Sequence, residues 1–181
     1  MKKLIAAAVA GSFAAAVLAT SAAAELKVGD KAPDFSAPAF LAGQQFNYKL
    51  ADALKKGPVV VYFFPAAHTQ GCNIEAHLFS EAIDQFKAEH ATVIGVTAGN
   101  VEQLADFSKE TEHCGGKFPV ASDPGAVIAK QYDSILAKKP DWSSRTSYVI
   151  AKNGTIADVY SAMDPSDHVN KTLAAVKALK K

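Results

Sequence analysis

Val59-Val60-Val61-Tyr62-Phe63-Phe64-Pro65 runs directly into Ala66-Ala67-His68-Thr69-Gln70-Gly71-Cys72-Asn73-Ile74-Glu75, and this stretch decides the fold. An unbroken run of apolar β-formers suits a strand buried on both faces. Pro65 ends it, because proline cannot donate to a sheet ladder. From about Gly71 to His90 the period changes. Ile74, Leu78, Ala82 and Phe86 recur at i+4, with Phe79 and Ile83 beside them, which predicts a helix with one apolar face. Thr92 to Thr97 reads as a second buried strand, so the stretch is the first half of a βαβ unit.

Working outward, Glu25 to Phe40 reads as irregular, with Pro33 and Pro38. Gln45 to Leu50 suits a short strand and Asp52 to Lys56 a short helix before Gly57-Pro58. Asn100 is placed to cap a helix whose Val101, Leu104 and Phe107 share a face. Phe118 to Ala121 is strand-like, and Pro124 to Tyr132 is helical. Arg145 to Ala151 and Thr155 to Tyr160 flank Asn153-Gly154, the strongest short hairpin signal. Asp164 and Pro165 look like the N-cap and first residue of a last helix, with Val169, Leu173, Val176 and Leu179 as its stripe. A βαβ half followed by a ββα half gives an α/β fold, a mixed central sheet with helices on both faces. That arrangement resembles the thioredoxin fold.

The first 24 residues read as a leader outside this fold. Lys2 and Lys3 precede an apolar run from Leu4 to Ala19, and Ser21 to Ala24 are small. This is the pattern of a secretory signal peptide, with cleavage expected after Ala24 and one domain from 25 to 181. A membrane anchor is the bland alternative, but the run is short and Ala-rich. Export implies a periplasmic or secreted protein. The whole chain carries 19 Lys plus Arg against 18 Asp plus Glu, so no nucleic-acid footprint is expected. Hydrophobic residues at 49% and charged ones at 20% of 181 suit a globular core rather than disorder. The mature chain holds Cys72 and Cys114 alone, and in an oxidising compartment one structural disulfide is the bland reading.

Ligands of open α/β sheets bind at the carboxyl ends of strands. A cysteine in the first turn of the helix after such a strand also faces the positive end of the helix dipole. Cys72 is therefore where a reactive thiol would stand. Pro65, Thr69 and Cys72 then form P-x-x-x-[T/S]-x-x-C, which resembles the signature of the peroxiredoxins. Glu75 matches the Glu common in the peroxiredoxin Q (bacterioferritin comigratory) branch. The resemblance continues through Val28 to Phe35, through Phe118-Pro119-Val120-Ala121-Ser122-Asp123, and through Arg145-Thr146-Ser147-Tyr148-Val149-Ile150.

The resemblance implies a thiol peroxidase acting on hydrogen peroxide and organic hydroperoxides. Cys72 would be the nucleophile, Thr69 a hydrogen-bonding partner of the peroxide and sulfur, Pro65 a shield against water, and Arg145 the group that holds the thiolate and polarises peroxide. Such donors matter more than acidity. A thiol of pKa about 8.5 is only about 3% thiolate at pH 7. Lowering its pKa to about 6 gains roughly thirtyfold in thiolate but loses roughly ten- to fifteenfold in nucleophilicity. Most acceleration must come from donors acting where charge develops.

Each residue has a plainer role open to it. Cys72 could be half of a structural disulfide, Thr69 a helix cap, Pro65 a strand terminator, Arg145 a surface ion-pair partner and Glu75 a first-turn carboxylate. Many peroxiredoxin Q members carry a resolving cysteine five residues after the nucleophile, where this chain has His77. Cys114, beside Gly115-Gly116 at the end of the helix begun near Asn100, is then the candidate resolving residue. An intermolecular or one-cysteine cycle is the alternative. His68, His77, His113 and the cysteines show no zinc-site spacing, no C-x-x-C-H marks heme, and no G-x-G-x-x-G marks a nucleotide, so neither metal nor cofactor is expected. A thioredoxin-like thiol donor is the implied reductant, acting on a monomer or homodimer. Two other functions remain. Dithiol exchange would need C-x-x-C, but Glu75 stands at that spacing; a binding or chaperone-like module with a Cys72–Cys114 disulfide would survive Cys72→Ser.

Overall fold

The structure is a computed structural model and describes residues 26–179. The leader and its cleavage point lie outside the described residues. Among the described residues nine strands and five α-helices follow in order: β1 Ser36–Leu41, β2 Gln44–Lys49, α1 Leu50–Leu54, β3 Val59–Phe63, α2 Gln70–Ala88, β4 Thr92–Thr97, α3 Leu104–Lys109, β5 Val120–Ser122, α4 Val127–Gln131, β6 Ile135–Leu136, β7 Lys139–Ser143, β8 Thr146–Ile150, β9 Ile156–Ser161 and α5 His168–Ala178. Among the described residues no helix is long and apolar enough to cross a membrane.

Seven strands form one sheet in the order β2-β1-β5-β4-β3-β8-β9. β3 pairs parallel with β4, and β4 with β5. β8 joins β3 antiparallel, with Phe63 opposite Thr146, and β9 closes the edge. The expected mixed sheet is therefore present, and the thioredoxin-like core is β3, α2, β4, β8, β9 and α5. β3 is buried at every position, as its composition requires. Val60, Tyr62 and Phe64 enter one core with Phe79 and Phe86 of α2, Phe107 of α3 and Leu173 of α5. Val59, Val61 and Phe63 enter the other with Leu50, Ile128, Tyr132 and Tyr148. Each fully buried side chain of this size contributes ~1.5–3 kcal/mol of transfer energy.

Three local readings are corrected. Residues 36–41 are not irregular: Pro38 lies within β1, paired on one side with β2 and near its end with β5. Asn100 does not cap a helix. It takes a left-handed conformation (φ 52°) before a 3-10 turn at Val101–Gln103, and its side-chain amide donates to the Ala67 carbonyl at 2.8 Å. Asp164 does not cap α5 either. Its carboxylate receives Ser166 N at 2.9 Å and Ser166 Oγ at 2.6 Å in a turn, and the helix starts at His168. At Asp164 a local side-chain turn competes with the helix, and at Asn100 a long-range bond to the loop after β3 does.

Gly95 lies within β4, where an added Cβ would stand 2.7 Å from the Tyr62 ring and 3.0 Å from Phe64. Overpacking predicts that Gly95→Ala lowers the unfolding free energy by ~1–3 kcal/mol, read from the urea midpoint. An unchanged midpoint contradicts this account of β3–β4 packing.

Candidate active site

The end of β3 and the start of α2 build the site. Thr69 occupies the N-cap position with extended backbone (φ −105°, ψ 146°), yet its side chain makes no capping bond. Its hydroxyl donates to the Ala66 carbonyl at 2.9 Å. With the proton thus committed, the oxygen presents lone pairs to a partner that donates. Helix entry is held instead by the backbone, Asn73 N donating to Thr69 O at 2.8 Å. Pro65 is buried, and its carbonyl accepts the Thr97 hydroxyl at 3.1 Å. Pro65 therefore ends the strand and is also tied to the neighbouring strand β4.

Cys72 sits in the first turn of α2, 1% exposed. Arg145, just before β8, reaches it from the strand that pairs with β3. Its Nη2 donates to Cys72 Sγ at 3.4 Å, its Nε to the Met163 carbonyl at 3.0 Å, and its Nη1 to Glu75 Oε2. At 3% exposure Arg145 is not a surface ion-pair residue. An added Cβ on Gly71 would meet Arg145 Nη2 at 3.0 Å, so glycine makes room for the guanidinium at the helix start.

Glu75 is completely buried, and because α2 starts at Gln70 it lies beyond the first turn, so it is not a first-turn carboxylate. Burial outweighs the pull of Arg145 and pushes its carboxyl up to about 8. The surroundings agree. His168 Nε2 lies 2.9 Å from the Ala162 carbonyl, an acceptor, so Nε2 carries the proton. Nδ1 is then the acceptor of the Ser147 hydroxyl at 2.8 Å, and burial holds the imidazole below its ordinary pKa. That Nδ1 stands 3.6 Å from Glu75 Oε1. Neutral His168 therefore lends the carboxyl no positive charge, and the 3.6 Å approach is not an ion pair.

Sequence reasoning misses His168 and Ser147. His168 carries the helical stripe one residue upstream of Val169, a titratable member of a buried face that also holds Thr172, Leu173 and Val176. That is the only available signal, and a helix start read at Asp164 hides it.

Cys114 is fully buried and, like Cys72, a free thiol in the same core cluster. It lies in the turns after α3 rather than at the helix end, and burial first, then Glu110, pushes its thiol up. Gly115 and Gly116 both adopt positive φ (58° and 68°), and their amides bond Glu110 O and Ser108 O at 2.9 Å. They fix this turn as much as they free it. His77 is solvent-facing on α2, 3.4 Å from Glu81. Trp142 lies in β7 of the separate β6–β7 pair, with Lys139 Nζ 4.0 Å from its ring centroid. Asp123 of the F-P-x-x-x-D stretch caps α4, accepting Ile128 N at 2.9 Å and Ala129 N at 2.8 Å.

The family profile described as AhpC/TSA matches residues 28–159. The chain belongs to the AhpC/TSA family. It is 32% identical over 127 residues to the chloroplastic peroxiredoxin Q of Sedum lineare, covering 70% of this chain and 67% of that one. The chloroplastic peroxiredoxin Q of Oryza sativa subsp. japonica is 30% identical over 152 residues, covering 83% and 67%. Among solved structures, peroxidoxin BcpB of Mycobacterium tuberculosis superposes with a TM-score of 0.76 at 29% identity, over 87% of this chain and 100% of that one. With family membership come the thioredoxin-like peroxiredoxin fold and thiol-dependent peroxidase activity, as the sequence resemblance implied.

Two outcomes follow from this geometry. Gly71→Ala displaces the guanidinium from the sulfur, and the rate of Cys72 oxidation by peroxide falls by roughly tenfold or more while the fold is retained; an unchanged rate contradicts the placement of Arg145. Glu75, whose folded pKa is raised from 4.5 to about 8, stabilises the folded state fully below the lower value. Above it, each pH unit up to about 8 costs up to ~1.4 kcal/mol. Glu75→Gln removes that slope, so the stability of the variant relative to the parent rises from pH 5 to pH 8 in thermal unfolding. A parallel pH dependence in both proteins contradicts a protonated Glu75.

Proposed function

We propose that Cys72 is the nucleophile of this peroxidase, and that Arg145, Thr69 and Pro65 form the pocket in which it meets peroxide. The observation that carries the reading is the Arg145 guanidinium, which touches Cys72 Sγ at 3.4 Å while Glu75 and Met163 O hold its other nitrogens. The thiolate of Cys72 attacks the nearer peroxide oxygen. An S–O bond forms, the O–O bond breaks, and the other oxygen leaves as hydroxide or alkoxide and takes up a proton. The peroxide gains two electrons and Cys72 becomes a sulfenic acid. Thr69 Oγ1, whose proton is given to Ala66 O, accepts from the peroxide hydroxyl and aligns it. Arg145 Nη2 donates along the S···O···O line, where negative charge develops.

Cys114 completes the cycle. Its sulfur attacks the Cys72 sulfenic sulfur, an S–S bond forms and water leaves. Both thiols are buried, so the turn carrying Cys114 opens for the sulfurs to close to about 2.05 Å. A thioredoxin-like dithiol donor then restores both thiols by exchange. The leader-like first 24 residues support export to the periplasm or beyond, which places that donor in the same compartment, and the working unit is a monomer or homodimer.

One equivalent of hydrogen peroxide added to reduced mature protein tests these assignments by intact mass and thiol mapping. Parent protein forms an intramolecular Cys72–Cys114 disulfide. Cys114→Ser stops at a sulfenic acid that dimedone traps, and Cys72→Ser consumes peroxide at least ~10³-fold more slowly. Equal consumption by Cys72→Ser would falsify the nucleophile, and a free Cys114 thiol in oxidised parent would remove it from the cycle. N-terminal sequencing of the exported protein is expected to begin at Glu25.

A further inference from the structure

His68, Glu110 and His113 lie outside the Cys72 set, and nothing in the peroxidase reading uses them. Folding brings them together from two segments: His68 from the loop between β3 and α2, Glu110 and His113 from the turns after α3. One ligating atom from each lies within 4.8 Å of the other two. Glu110 Oε2 is 3.8 Å from His68 Nδ1 and 3.3 Å from His113 Nε2. In a tetrahedral site with bonds of about 2.1 Å, neighbouring ligand atoms stand about 3.4 Å apart. Two of the three separations are close to that spacing. The third, between the two imidazoles, is within 4.8 Å.

The rings are held in place for such a role. Phe107 packs against both, at 4.9 Å from the His113 ring and 5.4 Å from the His68 ring. His68 itself adopts a left-handed backbone (φ 58°), a cost for a non-glycine residue that the surrounding structure sustains. The neighbouring Ala67 carbonyl is fixed by Asn100. The sequence shows only Glu-x-x-His at 110–113, with its third member more than forty positions away on another loop, so spacing alone could not reveal the group.

We propose that His68, Glu110 and His113 form a binding site for a divalent transition-metal cation of the zinc type, and that the bound ion staples the turn carrying Cys114 to the loop that leads into Cys72. Two imidazoles and one carboxylate suit zinc, cobalt, nickel or copper, and leave a fourth position for water. The stapling half rests on the reading that Cys114 resolves Cys72. Cys114 follows His113 directly, so an ion that ties His113 to His68 opposes the opening on which the disulfide depends. Peroxide would still oxidise Cys72, but the sulfenic acid would persist in place of water loss and S–S formation. Zinc thereby delays the cycle at one defined step.

The binding half is tested on full mature protein with Cys72→Ser and Cys114→Ser together, so that no thiolate contributes. Cobalt(II) absorption and zinc calorimetry are expected to show one ion per chain. Adding His68→Ala, a change on a loop, weakens binding at least about tenfold, as does His113→Gln, whereas His77→Ala does not. Absence of saturable binding, or equal affinity after His68→Ala, overturns the site and leaves Glu110 as a simple partner of two imidazoles. The stapling half is read in parent protein: one equivalent of zinc slows Cys72–Cys114 disulfide formation severalfold without slowing sulfenic acid formation, and His68→Ala removes the effect. Unchanged disulfide formation in the zinc-bound parent overturns the staple. If the metal-free parent never forms that disulfide, the resolving role of Cys114 fails, and with it the staple, while the binding result stands by itself.

Discussion

A single buried cation organises this site. Arg145 is 3% exposed, and a guanidinium out of water must have its donors satisfied. Three groups engage its three nitrogens: the Met163 carbonyl, Glu75 and the sulfur of Cys72. Two come from α2, which the sheet fixes against Arg145, since β8 pairs with β3 and α2 springs from the end of β3. The sulfur is thus one of a small set of acceptors that the fold requires, and its position follows from the need to pair the cation.

The charge of Glu75 decides how much of that cation is left for chemistry. A full carboxylate against Arg145 would neutralise it. Complete burial raises the Glu75 pKa against the pull of Arg145, and neutral His168 beyond it adds no second cation. In its protonated form Glu75 orients Arg145 as a neutral acceptor and leaves the positive field to Cys72. Ser147 and the Ala162 carbonyl fix the tautomer of His168. The same burial that tunes the pair lowers stability as pH rises, a stability–function trade-off.

The fold is legible where periodicity is strong. β3, α2, β4, the Asn-Gly hairpin and the last helix all follow from apolar spacing. Pro38 hides β1, because a proline within a strand reads as a break until an antiparallel partner is seen on each side. Asn100 and Asp164 look like caps, yet the Asn100 side chain bonds the distant Ala67 carbonyl and that of Asp164 closes a turn with Ser166. Cys72, Thr69, Pro65 and Arg145 are legible as a motif, and the structure brings Cys72 against Arg145 and Glu75. His168 and the His68–Glu110–His113 group are not legible. Their contacts join segments far apart in the chain, and no local spacing encodes them.

The second-order rate of Cys72 oxidation by hydrogen peroxide in Arg145→Lys, measured by stopped flow on fully reduced protein, is the most direct test of this organisation. Lysine keeps the charge but has a single nitrogen on a flexible stem, and so lacks the planar fork that sets separate nitrogens on Glu75, the Met163 carbonyl and the sulfur. If the forked guanidinium is what stabilises the charge moving along S···O···O, the rate falls by about 10²-fold or more, the loss typical of one preorganised donor. A rate equal to that of the parent would show that a cation alone suffices, and would contradict a central role for the geometry of Arg145.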